Sequence, residues 1–232
     1  YDRPFTDWFA LQQDIAADVA QAIQRILQRE VDAIARPGRV VNEEAQRELL
    51  LARQLLITRS VDDAEKAIEH LQRALTIDPN YALAHARLAD AILIQAESTT
   101  GVKSARSVVS PLLEKALALD PDLGEAYALR SRLTDDRAEA ERDLQRGLEL
   151  NPSYARGYEL LASLQSGGVE RIDLALSSID RAIALDPLSP GNFNTKAGFM
   201  MMQGKYPEAI ALNLREMALL DTPIVVVVCG EG

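Results

Sequence analysis

Few side chains in this 232-residue sequence are of the kinds that carry out catalysis, and their spacing is not that of a reactive site. The two histidines, His70 and His85, do not form a His-Glu-x-x-His zinc motif, and the single Cys229 cannot form an internal disulfide. Gly167-Gly168 is not followed by the Lys-Ser/Thr that completes a phosphate-binding loop. We therefore expect no catalytic residues, no cofactor and no metal site in these residues, and so no enzyme.

The acidic residues also have a simpler explanation than acid–base catalysis. The pairs Asp62-Asp63 and Asp135-Asp136 precede Ala- and Leu-containing stretches, which predicts them at helix starts, where the helix dipole favours carboxylates. The formal net charge is −10 at pH 7. Contact with nucleic acid needs clustered Lys and Arg, so we expect none by this chain.

The composition favours packed helices. Hydrophobic residues make up 47% of the chain and aromatic residues only 5%, while Ala and Leu are abundant. The apolar run at 224–229 is too short to cross a bilayer. We therefore expect no membrane insertion by these residues, and a transmembrane helix in the protein would lie upstream of Tyr1.

One sequence motif occurs four times along the chain. A helix-forming stretch ending in Leu or Ile runs into Asp-Pro or Asn-Pro, and the prolines are Pro79, Pro121, Pro152 and Pro187, with gaps of 42, 31 and 35 residues. Each next helix opens with small residues beside an aromatic or His. Because proline cannot continue the preceding helix, the chain turns there at regular intervals. Such a period predicts stacked helix pairs.

These positions resemble the tetratricopeptide repeat (TPR), a helix pair of about 34 residues. The resemblance implies an all-α, right-handed α-solenoid. The predicted organisation is an N-terminal helix at 1–36, a linker at 37–42, a TPR domain at 43–223 and a tail at 224–232, with repeats at 43–79, 80–121, 122–152, 153–187 and 188–222.

Three repeats depart from the standard pattern. Extra residues within 97–111 predict a longer inter-helix loop in the second repeat, and a deletion at 133–140 predicts a cramped turn in the third. In the fifth, Asn213 and Glu216 stand where small or apolar packing residues belong. Its second helix is therefore predicted to be a frayed terminus or to be covered by sequence beyond this chain.

The TPR resemblance implies a concave groove lined by the first helix of each repeat, and a peptide or protein as its partner. The groove positions it assigns are Ala86, Asp90, Glu125, Arg132, Arg156, Glu159, Asn194 and Met201. The Lys and Asn with which some TPRs hold a partner's C-terminal carboxylate are missing from the corresponding positions. Capture of chaperone tails in that way is therefore not expected.

The N-terminal segment carries a second resemblance. Its apolar residues follow one helical stripe, which predicts an amphipathic helix docked on the first repeat. It also resembles a junction in bacterial signalling proteins that join a nucleotide cyclase or winged-helix output domain to a TolB-like domain and then to TPRs. The matching residues are Tyr1, Asp2, Arg3, Asp7, Phe9–Gln12, Ile15–Ala16 and Val19–Ala20, with 79–91 in the repeats.

The function predicted from these patterns is a protein-interaction scaffold, the C-terminal part of such a signalling protein. The second resemblance implies an extracytoplasmic location attached to an inner membrane, with the cytoplasm as the alternative. The alternative function is a homodimerisation module that organises an attached output domain. The tail at 224–232 and the irregular fifth repeat motivate that alternative. The tail itself could add to a sheet edge, pair across a dimer or begin a distorted sixth repeat.

Overall fold

The computed structural model describes residues 42–57, 59–167 and 171–219, with the backbone alone for 216–219. Its described residues form ten α-helices and no strand. The helices are α1 (Glu43–Leu55), α2 (Val61–Ile77), α3 (Ala82–Ser98), α4 (Val102–Leu119), α5 (Gly124–Arg130), α6 (Arg137–Leu150), α7 (Ala155–Gln165), α8 (Ile172–Leu185), α9 (Pro190–Met202) and α10 (Tyr206–Leu219). The predicted N-terminal helix and the tail lie outside the described residues.

Three of the helices are capped at their N-termini by short polar side chains. The side chain of Asn42 accepts hydrogen bonds from the backbone N–H groups of the first turn of α1, and Ser60 and Asp136 do the same for α2 and α6. The Asp62-Asp63 pair lies in the first turn of α2, as predicted. These acceptors satisfy N–H groups that have no partner inside a helix.

The helices form antiparallel pairs that stack on one another. α1 packs on α2, α3 on α4, α5 on α6, α7 on α8 and α9 on α10, and each pair also contacts the next. Small residues make these contacts close: Ala74, Ala84 and Ala89 have no exposed surface. The all-α solenoid predicted from the sequence is confirmed.

The third pair packs most closely at its two glycines. A Cβ added to Gly147 would lie 2.6 Å from the backbone oxygen of Gly124 and 2.9 Å from the backbone nitrogen of Ala128. A Cβ on Gly124 would lie 2.4 Å from the backbone oxygen of Gly147. No side chain can be placed there without moving one helix backbone away from the other.

The prediction for the second pair is wrong in one respect. Its extra residues do not lengthen the loop, because α3 ends at Ser98 and α4 begins at Val102. They extend the two helices to 17 and 18 residues instead. A positive φ of 83° at Gly101 makes so short a turn possible, since glycine has no Cβ to clash there.

In the third pair the deletion shortens the first helix. α5 has only seven residues and continues as a single 3₁₀ turn, Ser131–Leu133. The chain then reaches Asp136, the N-cap of α6, within three residues. This is the tight connection that the missing residues predict.

No helix among the described residues is long and apolar enough to cross a membrane.

Candidate binding groove

The first helices of three successive pairs form one face of the solenoid. α3 contacts α5, and α5 contacts α7. Four predicted groove residues meet on this face: Asp90 from α3, Arg132 from the 3₁₀ turn, and Arg156 and Glu159 from α7. Two further residues, Arg59 and Glu97, complete the group. We call these six residues the charge network.

Glu97, near the end of α3, is the centre of the charge network. Its carboxylate accepts hydrogen bonds from Arg132, from Arg59 at 3.0 Å and from Arg156 at 3.3 Å. Arg156 also donates to Glu159 at 2.5 Å. The network therefore links side chains from four repeats. The Glu97 side chain is 30% exposed, and the other five are more deeply buried.

Arg59 joins the network from a distant part of the chain. It lies between α1 and α2, one residue before the N-cap of α2. Its Nη1 donates to both carboxylate oxygens of Glu159, at 3.2 and 3.1 Å, while its Nη2 donates to Glu97. Its side chain is 18% exposed, and its backbone has a φ of 54°, in the left-handed region that is unfavourable for a residue with a Cβ.

Buried polar groups that lack hydrogen bonds adjoin the network. Asp90 is 5% exposed, and its Oδ1 lies 3.7 Å from Nε of Arg156, an ion-pair distance without a hydrogen bond to either atom. The Tyr154 hydroxyl is also buried without a hydrogen-bond partner, and the Arg87 guanidinium lies over its ring. Buried polar atoms are normally hydrogen-bonded, so Oδ1 of Asp90 and the Tyr154 hydroxyl are exceptions to this rule.

The electrostatics favour the ionised forms of Glu97, Glu159 and Arg156. Burial opposes the charge on Glu97, but Arg156, Arg132 and Arg59 together outweigh it and hold its pKa below the usual value of 4.5. Burial likewise opposes the charge on Glu159, and Arg156 and Arg59 lower its pKa. Arg156 shows the converse, because nearby carboxylates raise its pKa against the effect of burial. Burial also raises the pKa of the Tyr154 hydroxyl.

The other predicted groove residues lie outside the network. Ala86 has no exposed surface and belongs to the core, so it offers nothing to a partner. Glu125 is 8% exposed and accepts a hydrogen bond from Asn151 at 3.0 Å. Asn194 and Met201, on α9, are both exposed.

Sequence reasoning missed Arg59 and Glu97 for different reasons. Glu97 follows Asp90 by seven residues, two helical turns, so a longer α3 would have placed both on one face. The predicted long loop hid that relationship. Arg59 lies between helices, and no periodicity marks a loop residue whose partner is 100 positions away.

Other features of the described residues carry no chemistry of their own. No group of three or more His, Cys, Asp and Glu side chains in the described ranges could hold a metal ion. A surface depression of about 360 Å³ between the end of α3 and the start of α4 is lined by neutral side chains and lies apart from the charge network.

Comparisons with known proteins agree with this architecture. The tetratricopeptide-repeat family model matches residues 56–81, which include α2 and the turn that follows it. A thermophilic TPR protein of Thermus thermophilus shares the fold with a TM-score of 0.55 and 21% identity, over 76% of this chain and 92% of that one. PilW, a widely conserved type IV pilus biogenesis factor, gives a TM-score of 0.51 and 19% identity, over 79% and 80% of the two chains.

The stacked helix pairs form an α-solenoid, one repeat matches the tetratricopeptide model, and a solved TPR protein shares the fold. TPR solenoids mediate protein–protein interaction through their extended concave surfaces, and no enzymatic family is indicated for this chain. Comparison with curated proteins gives no match.

Proposed function

We propose that this chain is a protein-interaction module that binds a peptide segment of a partner along the face formed by its first helices. The observation that carries the proposal is the concentration of partly buried charged groups on that face. Fixed, partly desolvated charges select a partner of complementary pattern, because an unpaired charge left in such a site is costly. Asp90, Glu125, Arg132, Arg156 and Glu159 would contribute its polar part.

The exposed part of the proposed surface lies on α9, with Asn194 and Met201. Gly198, between them, would meet nothing within 4 Å if a Cβ were added, so the surface is open there. A methionine side chain adapts its shape to different partners, which suits a peptide-binding surface.

The experiment begins with selection of binding peptides from a displayed random library against the purified chain. The consensus peptide is then measured by calorimetry against Gly198→Tyr, which adds bulk to the open surface. We expect at least a tenfold loss of affinity. The matched control is Leu174→Tyr, which puts the same side chain on an exposed position of α8 and should not affect binding. Equal affinity in both variants would reject this face as the binding surface.

We further propose that the module is the C-terminal part of a bacterial signalling protein. The support is the resemblance of the stretch from Tyr1 to Ala20 to the junction found before the TPRs of such proteins. The coding sequence upstream of Tyr1 tests this context. A cyclase or winged-helix domain in the same reading frame is the expected result, and an in-frame stop codon directly upstream would exclude it.

The second candidate function is homodimerisation, favoured by a specific apolar surface. Tyr206, Ile210 and Leu214 follow one another at four-residue spacing on α10, and each is more than 40% exposed. Met201 and Met202 add to this apolar character. Light scattering over a range of protein concentrations should show a dimer that Ile210→Lys dissociates. Val108→Lys, at an exposed position on α4, is the control. A monomer at every concentration would exclude this function.

A further inference from the structure

We propose that the charge network is a binding site for a guanidinium group of the partner peptide, and that Arg59 occupies this site in the free protein as an internal substitute. This inference rests on the proposed function, since it specifies the chemistry of the peptide that the groove takes. Its elements are two carboxylates held in place, a missing positive charge and a displaceable arginine.

The two carboxylates keep their positions without Arg59. Glu97 accepts hydrogen bonds from Arg132 and Arg156, and Glu159 accepts one from Arg156 at 2.5 Å. Both arginines come from the shortened third repeat or from α7, not from the loop that carries Arg59. Removal of Arg59 therefore leaves a preformed pair of acceptors with the geometry that a guanidinium requires.

The charge balance calls for one cation at this position. Without Arg59, the network consists of three carboxylates, those of Asp90, Glu97 and Glu159, and the guanidinium groups of Arg132 and Arg156. The neighbouring Arg87 and Glu125 add one charge of each sign. The remainder is one uncompensated negative charge in a largely desolvated site, which is unfavourable until a cation pairs with it.

A separate observation shows that the internal pairing leaves the site incompletely satisfied. Asp90 is buried, with 5% of the residue exposed, and its Oδ1 accepts no hydrogen bond. Arg59 forms ion pairs with Glu97 and Glu159, but the ion pairs of the network include none between Arg59 and Asp90. A ligand with a second donor group could use this acceptor as well.

Arg59 is suited to displacement. Its φ of 54° places it in the left-handed region, which is unfavourable for a residue with a Cβ. Its side chain comes from the connection between α1 and α2, whereas those of Arg132 and Arg156 come from the stacked first helices themselves. A partner's arginine would replace Arg59 group for group, so the charge of the site is unchanged on binding.

The test uses the whole chain with Arg59→Gly, which empties the site and suits the left-handed backbone. Its probes are the peptide acetyl-Gly-Arg-Gly-amide and the same peptide with citrulline, which is neutral and nearly the same shape. By calorimetry, we expect the arginine peptide to bind Arg59→Gly at least tenfold more tightly than wild type, and the citrulline peptide to bind neither. Arg59→Asn, which also tolerates the left-handed region, should reproduce the gain if Arg59→Gly folds poorly.

Two further variants separate this site from general attraction to an acidic protein. In the Arg59→Gly background, Glu159→Gln should abolish the gain, while Glu69→Gln, an exposed residue on α2, should retain it. Equal binding of the arginine and citrulline peptides to a folded Arg59→Gly protein would overturn the inference. The proposed function would then stand or fall separately, on whether the selected library peptides bind the groove without a basic residue.

Discussion

The third and fifth helix pairs follow one repeat pattern but place their side chains in opposite ways. In the third, α5 and α6 approach until their backbones touch at Gly124 and Gly147, and Arg132 is drawn into the charge network. In the fifth, α9 and α10 leave Gly198 open and expose Met201 and Ile210. The third pair has a helix pair on each side, so its charged side chains can be buried between repeats. The fifth pair is contacted by described residues on one side only, and its apolar side chains remain exposed.

The difference matters energetically because the two kinds of surface respond oppositely to substitution. A side chain of the charge network has partners in several repeats, so removing it leaves other buried charges unpaired. An exposed side chain at the end of the solenoid has few partners to lose. The following four predictions use this contrast, beginning with the largest expected effect.

Removing the arginine that bridges three carboxylates should cost the most. Arg156→Met leaves Glu159, Asp90 and Glu97 with fewer cations in a site sheltered from water. We expect a loss of about 3 to 5 kcal/mol in the free energy of unfolding. Urea denaturation measures it, with Arg146→Met as the control, since Arg146 is half exposed and pairs at long distance. Similar losses of unfolding free energy in both variants would show that the burial of Arg156 does not increase its contribution to stability.

Adding a side chain between the helices of the third pair should be the next most harmful change. Gly147→Val places its Cβ against backbone atoms that cannot rotate away. The expected loss is about 3 kcal/mol in the free energy of unfolding, since overpacking forces a backbone shift. A thermal melt followed by circular dichroism measures it. An unchanged melting temperature would mean that α5 and α6 separate easily.

The stabilisation from Glu97 should depend on pH in a defined direction. Because its pKa is lowered in the folded state, its contribution is fully present above the unfolded-state value of about 4.5 and is lost as the pH falls through the folded-state pKa. At pH 7, Glu97→Gln should therefore be less stable than wild type by about 1 to 2 kcal/mol. Urea denaturation at a series of pH values should show this gap closing below pH 4.5; a gap independent of pH would contradict the assignment.

The smallest effect should be a gain at the open glycine of the fifth pair. Gly198→Ala meets no neighbouring atom, and alanine is the better helix former by about 1 kcal/mol. We expect a slightly higher melting temperature, measured beside the Gly147 variant. A gain in stability at Gly198 and a loss at Gly147 would confirm that the distance between the packed helices decides the effect of replacing a helical glycine. A loss at Gly198 would place an unseen contact there.

The sequence by itself determined the repeating architecture. Its signals are local or periodic: the Asp-Pro and Asn-Pro sequences that end helices, and the small residues Ala74, Ala84 and Ala89. These signals specify a helix pair at any position in the chain. The same is true of the acidic pairs at the helix starts and of the shortened third repeat. Four members of the charge network could also be assigned to the groove, because the repeat register fixes which face of a first helix a residue occupies.

The tertiary structure alone decided how those groove residues are used. Only stacking shows that Ala86 is closed off from solvent, and that the extra residues of the second repeat lengthen α3 and so place Glu97 beside Arg132 and Arg156. The pairing of Arg59 with Glu159 joins residues 100 positions apart, and no repeat position predicts it. The physical reason is that local patterns specify each helix and its inner face, whereas the balance of charge inside the groove depends on which loops and helices the stacked pairs bring together.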